Sequence, residues 1–462
     1  MNTIKYYFLL GAIAVTALSC DDFLDRDPID SITSEQYFTN ENSVTSALTG
    51  AYRTLTSANY YGRAMMIVPE LSAKQVVSIQ QYPEYLVFLR DSINIDNPWT
   101  LNIWTTSYNT INAVNNVLAL QDGGIRAGEV TFTSDSTREG LMQEAKFLRA
   151  LVYFNLVRSF GDVPLVLEPT TPNTDLNVSR TPAEQVYDQI VSDLQMPKAD
   201  VLPTRYSAVG DGARVTRYAV EALLAKVYLY RGEYALAAEK SLDVIQNGGY
   251  SLVDSYGSNW TTRNSSESIF EMQYDAALQN ELAKNTAQQA GIFASSQAVY
   301  DSFDVADQRR DVNVIKVAGA EKDSYYIGKY KGAATVQNIP VLRLAEVYLI
   351  YAEAKARSVM ALDADAYNYY KDIRDRAGLT TPETPVYTGT SDQILAQFIA
   401  DVQREKRREL MYEGEAWYDY TRTGLALTEM MVKPDEGRFL YPIPQPERDL
   451  NPNLGQNSAY QN

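Results

Sequence analysis

One small-plus-aromatic pair recurs inside three helical stretches of this chain: Ala150-Leu-Val-Tyr153, Ala225-Lys-Val-Tyr228 and Ala345-Glu-Val-Tyr348. Residues three apart share one face of a helix. Alanine on that face lets a second helix approach closely, and the tyrosine one turn on fills the groove beside it. Each copy therefore needs a partner helix, which restricts the chain to architectures built from packed helix pairs. The copies stand 75 and 120 residues apart instead of at one fixed period. That spacing suits helix pairs separated by insertions and not a regular solenoid.

In the second copy Gly232, Tyr234 and Ala237 follow at tetratricopeptide-like spacing. Apolar periodicity predicts helices over Ser43–Leu55, Trp104–Leu120, Ser136–Phe160, Pro182–Gln195, Thr216–Arg231, Glu233–Gln246, Leu342–Arg357, Ala364–Arg376 and Gln393–Tyr412. In the second of these, Trp104, Tyr108, Ile111, Asn115 and Leu118 fall three or four apart, on one face. Thr181 suits an N-cap, with Pro182 at the first helical position. Gly161, Gly232, Gly248-Gly249 and Gly378 read as stops. Irregular insertions separate the helices: Tyr60–Pro98, Val163–Thr181, Tyr250–Tyr330, Thr380–Ser391 and Lys433–Asn462. The expected fold is all-α, with tetratricopeptide-like helix pairs on a rigid side and long loops, where binding usually resides, elsewhere. The C-terminal run FLYPIPQPERDLNPNLGQN is too rich in aromatic and proline residues for a loose tail and is expected to pack back on the body.

Cys20 is the only cysteine, so no internal disulfide can form. Lys5, the apolar run Tyr6–Ser19 and the small Ser19 before Cys20 are the parts of a secretory signal. The apolar core is close to the roughly 7–15 residues of such signals and below the ~20 a spanning helix needs. The expectation is a signal peptide over residues 1–19 and lipidation of Cys20. Ala17 stands where the lipoprotein pattern usually has Leu, and Leu18 lies one place later. No other run is long and apolar enough to cross a bilayer, so the remainder is expected to be soluble and tethered by lipid.

The chain has no histidine, which removes His-ligated metal sites, a Ser-His-Asp triad and a histidine general base. A formal charge of −17 and a pI near 4.6 leave no basic footprint for nucleic acid. Tyrosine is abundant, 34 against 13 Phe and 4 Trp. Its flat apolar face and polar tip suit sugars and peptides, and equally suit helix packing.

Seven aromatic residues in the insertions are the expected ligand contacts. Trp99 follows Asn97-Pro98 in a polar loop, and Trp260 sits in Gly257-Ser-Asn-Trp-Thr-Thr262. Tyr82 and Tyr85 lie in the first insertion; Tyr300, Tyr325 and Tyr326 lie in the largest. Trp104, on an apolar helix face, is assigned to the core. Glu405, Arg408 and Glu409 have helical spacing and read as a helix laced with Glu–Arg pairs instead of a catalytic carboxylate pair. Arg374 and Arg376 before Gly378 read as cations opposing a helix dipole. Asp301/Asp304 and Asp363/Asp365 lack the D-x-[DN]-x-[DN]-G pattern of a calcium loop. Gly123-Gly124 and Gly248-Gly249 lack a Lys-Ser/Thr partner and read as turns. No catalytic residue, metal or cofactor is expected.

Several segments, in order, resemble the SusD/RagB family of Bacteroidetes outer-membrane lipoproteins. They are Cys20-Asp-Asp-Phe-Leu-Asp25 with Pro28, Phe38–Tyr52, Glu144–Leu165 with its G-D-V-P-L exit, Ile339–Ala356, Ile373–Leu379, Arg404–Arg422 and Leu440–Pro446. The resemblance implies a single domain over 20–462, with an N-terminal part at about 21–220 and a C-terminal part at about 260–462. It implies a surface lipoprotein that binds an oligosaccharide and passes it, without catalysis, to a SusC-like TonB-dependent transporter. Asp21 and Asp22 after Cys20 resemble the surface-export signal of this lineage. Other readings stay open on the residues alone: a RagB-like peptide binder, a surface glycosidase, or a scaffold that binds only proteins.

Overall fold

The structure, a computed structural model, describes residues 34–121, 130–196, 200–205, 214–288, 291–330, 336–430 and 434–461. The expected signal peptide, Cys20 and Gly123-Gly124 lie outside the described residues.

Helices dominate: α1 (Glu41–Leu55), α2 (Ala64–Ser72), α3 (Pro83–Leu89), α4 (Pro98–Leu118), α5 (Asp135–Phe160), α6 (Ala183–Leu194), α7 (Arg217–Arg231), α8 (Tyr234–Asn247), α9 (Leu344–Val359), α10 (Ala364–Arg376), α11 (Ser391–Glu409) and α12 (Ala416–Thr423). Short strands β1 (Val77–Ser78), β2 (Ser268–Met272), β3 (Phe293–Ala294), β4 (Val314–Val317), β5 (Ser324–Ile327) and β6 (Ile339–Arg343) form the antiparallel pairs β1–β3, β2–β6 and β4–β5. The helices pack in file: α1 on α4, α4 on α5, α5 on α6, α6 on α7, α7 on α8, α8 on α9, and α9 on both α10 and α11. This is the all-α, tetratricopeptide-like arrangement that the alanine–tyrosine pairs predict. Ala150, Ala225 and Ala345 are completely buried at the contacts. Tyr153 is buried as well, and its hydroxyl accepts from Val166 N (2.7 Å) and donates to Val166 O (2.9 Å), fastening the loop after α5.

Local chemistry sets most helix ends. Asn40 and Ser43 form a capping box at α1, and Thr390 and Gln393 form another at α11. Gly232 ends α7 with φ 74°, a left-handed conformation that glycine adopts without a Cβ penalty. Several boundaries differ from the periodicity, three of them through identifiable contacts. α4 begins at Pro98, because Asn97 accepts from the amides of Trp99 (2.9 Å) and Thr100 (3.3 Å). α6 begins at Ala183, whose amide is met by Asp162 (2.8 Å), while the Thr181 backbone pairs with Val163. α9 begins at Leu344, because Ile339–Arg343 is drawn into a strand against β2.

The insertions are more ordered than their composition suggests. Tyr60–Pro98 carries α2, β1 and α3, and the largest carries four of the six strands, β2, β3, β4 and β5. The C-terminal segment packs on the end of α5, as expected. Tyr441 N donates to Ser159 O (2.7 Å), and Asn457 Nδ2 donates to Phe160 O (3.1 Å) and Tyr441 O (2.8 Å). The main core runs from α1 through α8 to Tyr441 and Ile443, and a second cluster fills the space between α9, α10 and α11. Among the described residues no helix is long and apolar enough to cross a membrane.

Candidate functional site

The densest charge in the molecule is interior. Glu405 and Glu409 of α11 are buried, and their partners come from distant segments instead of from their own helix. Arg309 reaches Asp307 (2.7 Å), Glu405 (2.6 Å) and Glu409 (3.0 Å). Arg343 reaches Glu267 (2.8 Å), Glu409 (2.6 Å) and Glu413 (2.8 Å). Arg376 bridges Glu267 (2.9 Å) and Glu409, and Arg374 meets Glu405 (3.2 Å). Burial pushes the Glu409 carboxyl upward, but Arg376, Arg343 and Arg309 together hold it well below the usual carboxylate range. Carboxylates so committed to arginines are poor proton donors or nucleophiles. They clamp α10, α11, the β2–β6 pair and the segment around Arg309 into one frame. Arg408 stands outside the network and donates to Ser302 O (3.0 Å).

Trp260 belongs to this interior. It is 5% exposed, at the end of the short 3-10 turn Tyr256–Trp260, and the Lys329 ammonium lies 4.1 Å from its ring centroid. The polar residues around it in sequence gave no sign of this, since the cation that covers the ring comes from a distant segment. Burial pulls the Lys329 ammonium down to about 8.

The other aromatic residues gather on the loop side. β1 pairs with β3, Val77 opposite Ala294 and Ser78 opposite Phe293, and Ile79 N donates to Ile292 O (2.7 Å). This pairing joins the first insertion to the largest one. Phe293 brings its ring to 4.8 Å from Tyr85, edge to face. Tyr85 stacks on Trp99 at 5.1 Å and 19°, and Tyr82 meets Tyr85 edge to face at 6.3 Å. Trp99 and Tyr85 are buried, at 8% and 3% exposure, and burial raises the Tyr85 phenol to about 12. Trp99 therefore lies in the first turn of α4 and not in an open loop; the cap at Asn97 and the rings of Tyr85 and its neighbours close over it. Tyr82, 40% exposed, is the member of this stack that faces solvent.

β5 approaches β3 without pairing with it. Tyr325 on β5 stands opposite Lys316 on β4, and its ring lies 5.6 Å from that of Tyr300. Arg310 lies 4.8 Å from the Tyr300 centroid, and Lys316 lies 5.6 Å from it. Successive strand residues point to opposite faces, so Tyr326 points away from Tyr325. All three tyrosines are half-buried. The β1–β3 pairing thus ties the Tyr82–Tyr85–Trp99 stack to the insertion that holds the Tyr300–Tyr325 pair, while Trp260 lies in the interior. Sequence reasoning missed Phe293 and Lys316, whose positions depend on strand pairing that no local motif announces, and Arg310 and Arg63, whose guanidiniums lie over Tyr300 and Trp99.

A separate cavity of about 230 Å³ opens between α1 and β2, with Tyr52, Thr56, Glu271 and Met272 in its wall. Its polar groups are already engaged: the Tyr52 hydroxyl by Glu144, and Glu271 by the Asn264 amide (3.0 Å) and the Asn338 side chain (2.8 Å). The aromatic face has the richer recognition chemistry.

Two family models cover most of the chain. One, described as starch-binding associating with outer membrane, matches residues 22–229, and the other, described as the SusD family, matches residues 256–438. The chain belongs to the SusD/RagB family. A SusD-like protein P2 of Formosa agariphila is 25% identical over 98% of this chain and 99% of its own length. The starch-binding protein SusD of Bacteroides thetaiotaomicron is 23% identical over 69% of this chain and 72% of its own. The crystal structure of a SusD superfamily protein from Parabacteroides distasonis superposes with a TM-score of 0.77 at 26% identity, covering 93% of this chain and all of that one. In SusD-family terms the aromatic face is composite. Tyr82, Tyr85 and Trp99 fall in the first matched region, and Tyr300, Tyr325 and Tyr326 fall in the second.

Proposed function

We propose that this SusD-family chain captures an oligosaccharide at the outer-membrane surface and delivers it to a SusC-like TonB-dependent transporter, without catalysis. One observation carries the reading: exposed Tyr82 and the half-buried Tyr300–Tyr325 pair lie in insertions joined by the β1–β3 pairing and held on a rigid file of helices. Aromatic rings offer apolar faces to the C–H surfaces of sugars, and the phenol oxygens and nearby cations offer hydrogen bonds. The family model's starch-binding description and the relative named for starch binding support carbohydrate as the ligand class. Attachment through a lipid on Cys20 belongs to the same proposal, with the model's outer-membrane description in support. The commitment of Glu405 and Glu409 to arginines supports a binder over a glycosidase built on that pair.

Calorimetric titration of the purified protein with neutral and acidic oligosaccharides and with peptides tests the proposal, alongside chromatography of each oligosaccharide after incubation. Saturable binding of an oligosaccharide returned intact is the expected result. Binding of peptides alone would replace it with the RagB-like reading, and cleavage of the oligosaccharide would make the chain an enzyme.

A further inference from the structure

Unlike the arginines of the buried ion pairs, Arg63 has no acidic partner among the described residues, although it shares an unpaired Nε with Arg158, Arg376 and Arg422. It sits at the N-cap of α2, half-buried, with its guanidinium carbon 4.3 Å from the Trp99 ring centroid. Its Nε is buried without a hydrogen-bond acceptor, and among the described residues no carboxylate bridges to it. Arg158, Arg309, Arg343, Arg376 and Arg422 each hold at least one acidic side chain. Glu84 is close enough to act on the Tyr85 phenol but makes no ion pair with Arg63. Trp99, beside it, also has an indole N–H with no acceptor.

A buried guanidinium N–H left without an acceptor is unfavourable, and a group that supplies both charge and acceptors relieves it. Gly62 fixes where Arg63 emerges, because a Cβ there would meet the carbonyl oxygens of Thr56 and Ser57 at 2.6 and 2.7 Å. The guanidinium is thus presented from a tight turn, stacked on an aromatic ring, next to the stack whose outer member is Tyr82. Its planar fork of donors matches carboxylate and sulfate oxygens. Its two buried orphan groups, Arg63 Nε and Trp99 Nε1, are both donors, which an anionic oxygen answers better than a sugar hydroxyl. We propose that Arg63, backed by Trp99 and flanked by the Tyr85–Tyr82 stack, is a subsite for the carboxylate or sulfate of an acidic oligosaccharide. The inference rests on the capture reading above and narrows its ligand to acidic glycans. The overall charge of −17 does not oppose it, since solvent and salt screen distant charges within about 8–10 Å.

The test is calorimetric titration of wild type, Arg63→Lys and Arg63→Gln with oligogalacturonate, a sulfated carrageenan oligosaccharide, and neutral malto- and laminari-oligosaccharides, at low and at physiological salt. Wild type is expected to bind one of the acidic oligomers at least about tenfold more tightly than the neutral ones, less so as salt rises. Arg63→Gln should lose about tenfold or more of that affinity, and proportionally much less of any neutral binding. Arg63→Lys, which keeps the charge but loses the fork, should fall between. Preference for galacturonate or for carrageenan identifies which anionic group is read. Neutral oligomers bound as tightly as acidic ones, or acidic binding unaffected by Arg63→Gln, would overturn the inference and leave glycan capture standing. Failure of wild type to bind any oligosaccharide would overturn the capture reading and this inference with it. Thermal melts of both variants separate a lost contact from a lost fold, and Arg63→Lys decides the matter if Arg63→Gln melts early.

Discussion

The Arg343 guanidinium lies 2.6 Å from the Glu409 carboxylate, 66 residues on in the chain, and both side chains are buried. Three arginines converge on Glu409, so removing its charge strands them. Glu409→Gln is expected to cost about 3–5 kcal/mol, as the loss of one partner from a buried ion pair does. Urea unfolding of wild type and variant at neutral pH measures it.

The same residue gives the fold an acid limit. Free glutamate titrates near ~4.3, and Glu409 in the folded chain titrates lower. Below ~4.3 the unfolded chain takes up the proton before the folded one does, so the unfolded state gains. The stabilisation is complete above ~4.3 and is lost as pH falls from there toward the folded value. The wild-type urea midpoint should drop steeply across that window, and part of the drop should be missing in Glu409→Gln.

Glu70 predicts the opposite slope. It is fully buried, accepts from Gly414 N (2.9 Å) and Ala416 N (3.5 Å) through one oxygen, and leaves the other unpaired. Burial raises its carboxyl to about 8. Between ~4.3 and 8 the unfolded chain has released this proton and the folded chain still holds it, so stability falls as pH rises, by at most about 1.4 kcal/mol per unit. Glu70→Gln cannot ionise and should gain on wild type between pH 5 and pH 8. Paired melting curves at those two values check it; a constant difference would count against the assignment.

Tyr82 and Trp99 separate binding from packing. Tyr82→Ala, at an exposed ring, should change stability by less than ~0.5 kcal/mol while weakening oligosaccharide binding. Trp99→Ala should cost about 3–5 kcal/mol, because it empties a buried site between Tyr85 and Arg63. Loss of binding in Trp99→Ala alone therefore does not locate a ligand, and the melting temperatures of both variants accompany their titrations.

Cys20→Ala tests the anchor. The wild-type chain is expected in the outer-membrane fraction and the variant in the soluble fraction, read by immunoblot after fractionation.

Much of the helical frame is legible in the sequence, because its signals are local. The alanine–tyrosine pairs and Gly232 act within one or two turns, and the structure places helices where they indicate; the equally local Asn40–Ser43 and Thr390–Gln393 boxes start α1 and α11 two residues before the apolar periodicity does. The candidate site is legible only in part. Tyr82 is exposed and Tyr300 and Tyr325 are half-buried, but Trp99 and Trp260, equally polar in their surroundings by sequence, are buried.

The difference lies in how far the deciding contacts reach along the chain. Helical period, caps and stops follow from residues a few positions apart, so composition in a short window determines them. Whether a loop aromatic meets solvent depends on what arrives from elsewhere: Lys329 over Trp260, Arg63 and Tyr85 over Trp99, and β3 beside β1. Glu405 and Glu409 show the same limit. Their helical spacing is visible, but their burial among Arg309, Arg343 and Arg376 is a property of the packed chain. Burial and ion pairing sum over all neighbours in space, and only the tertiary structure brings those neighbours together.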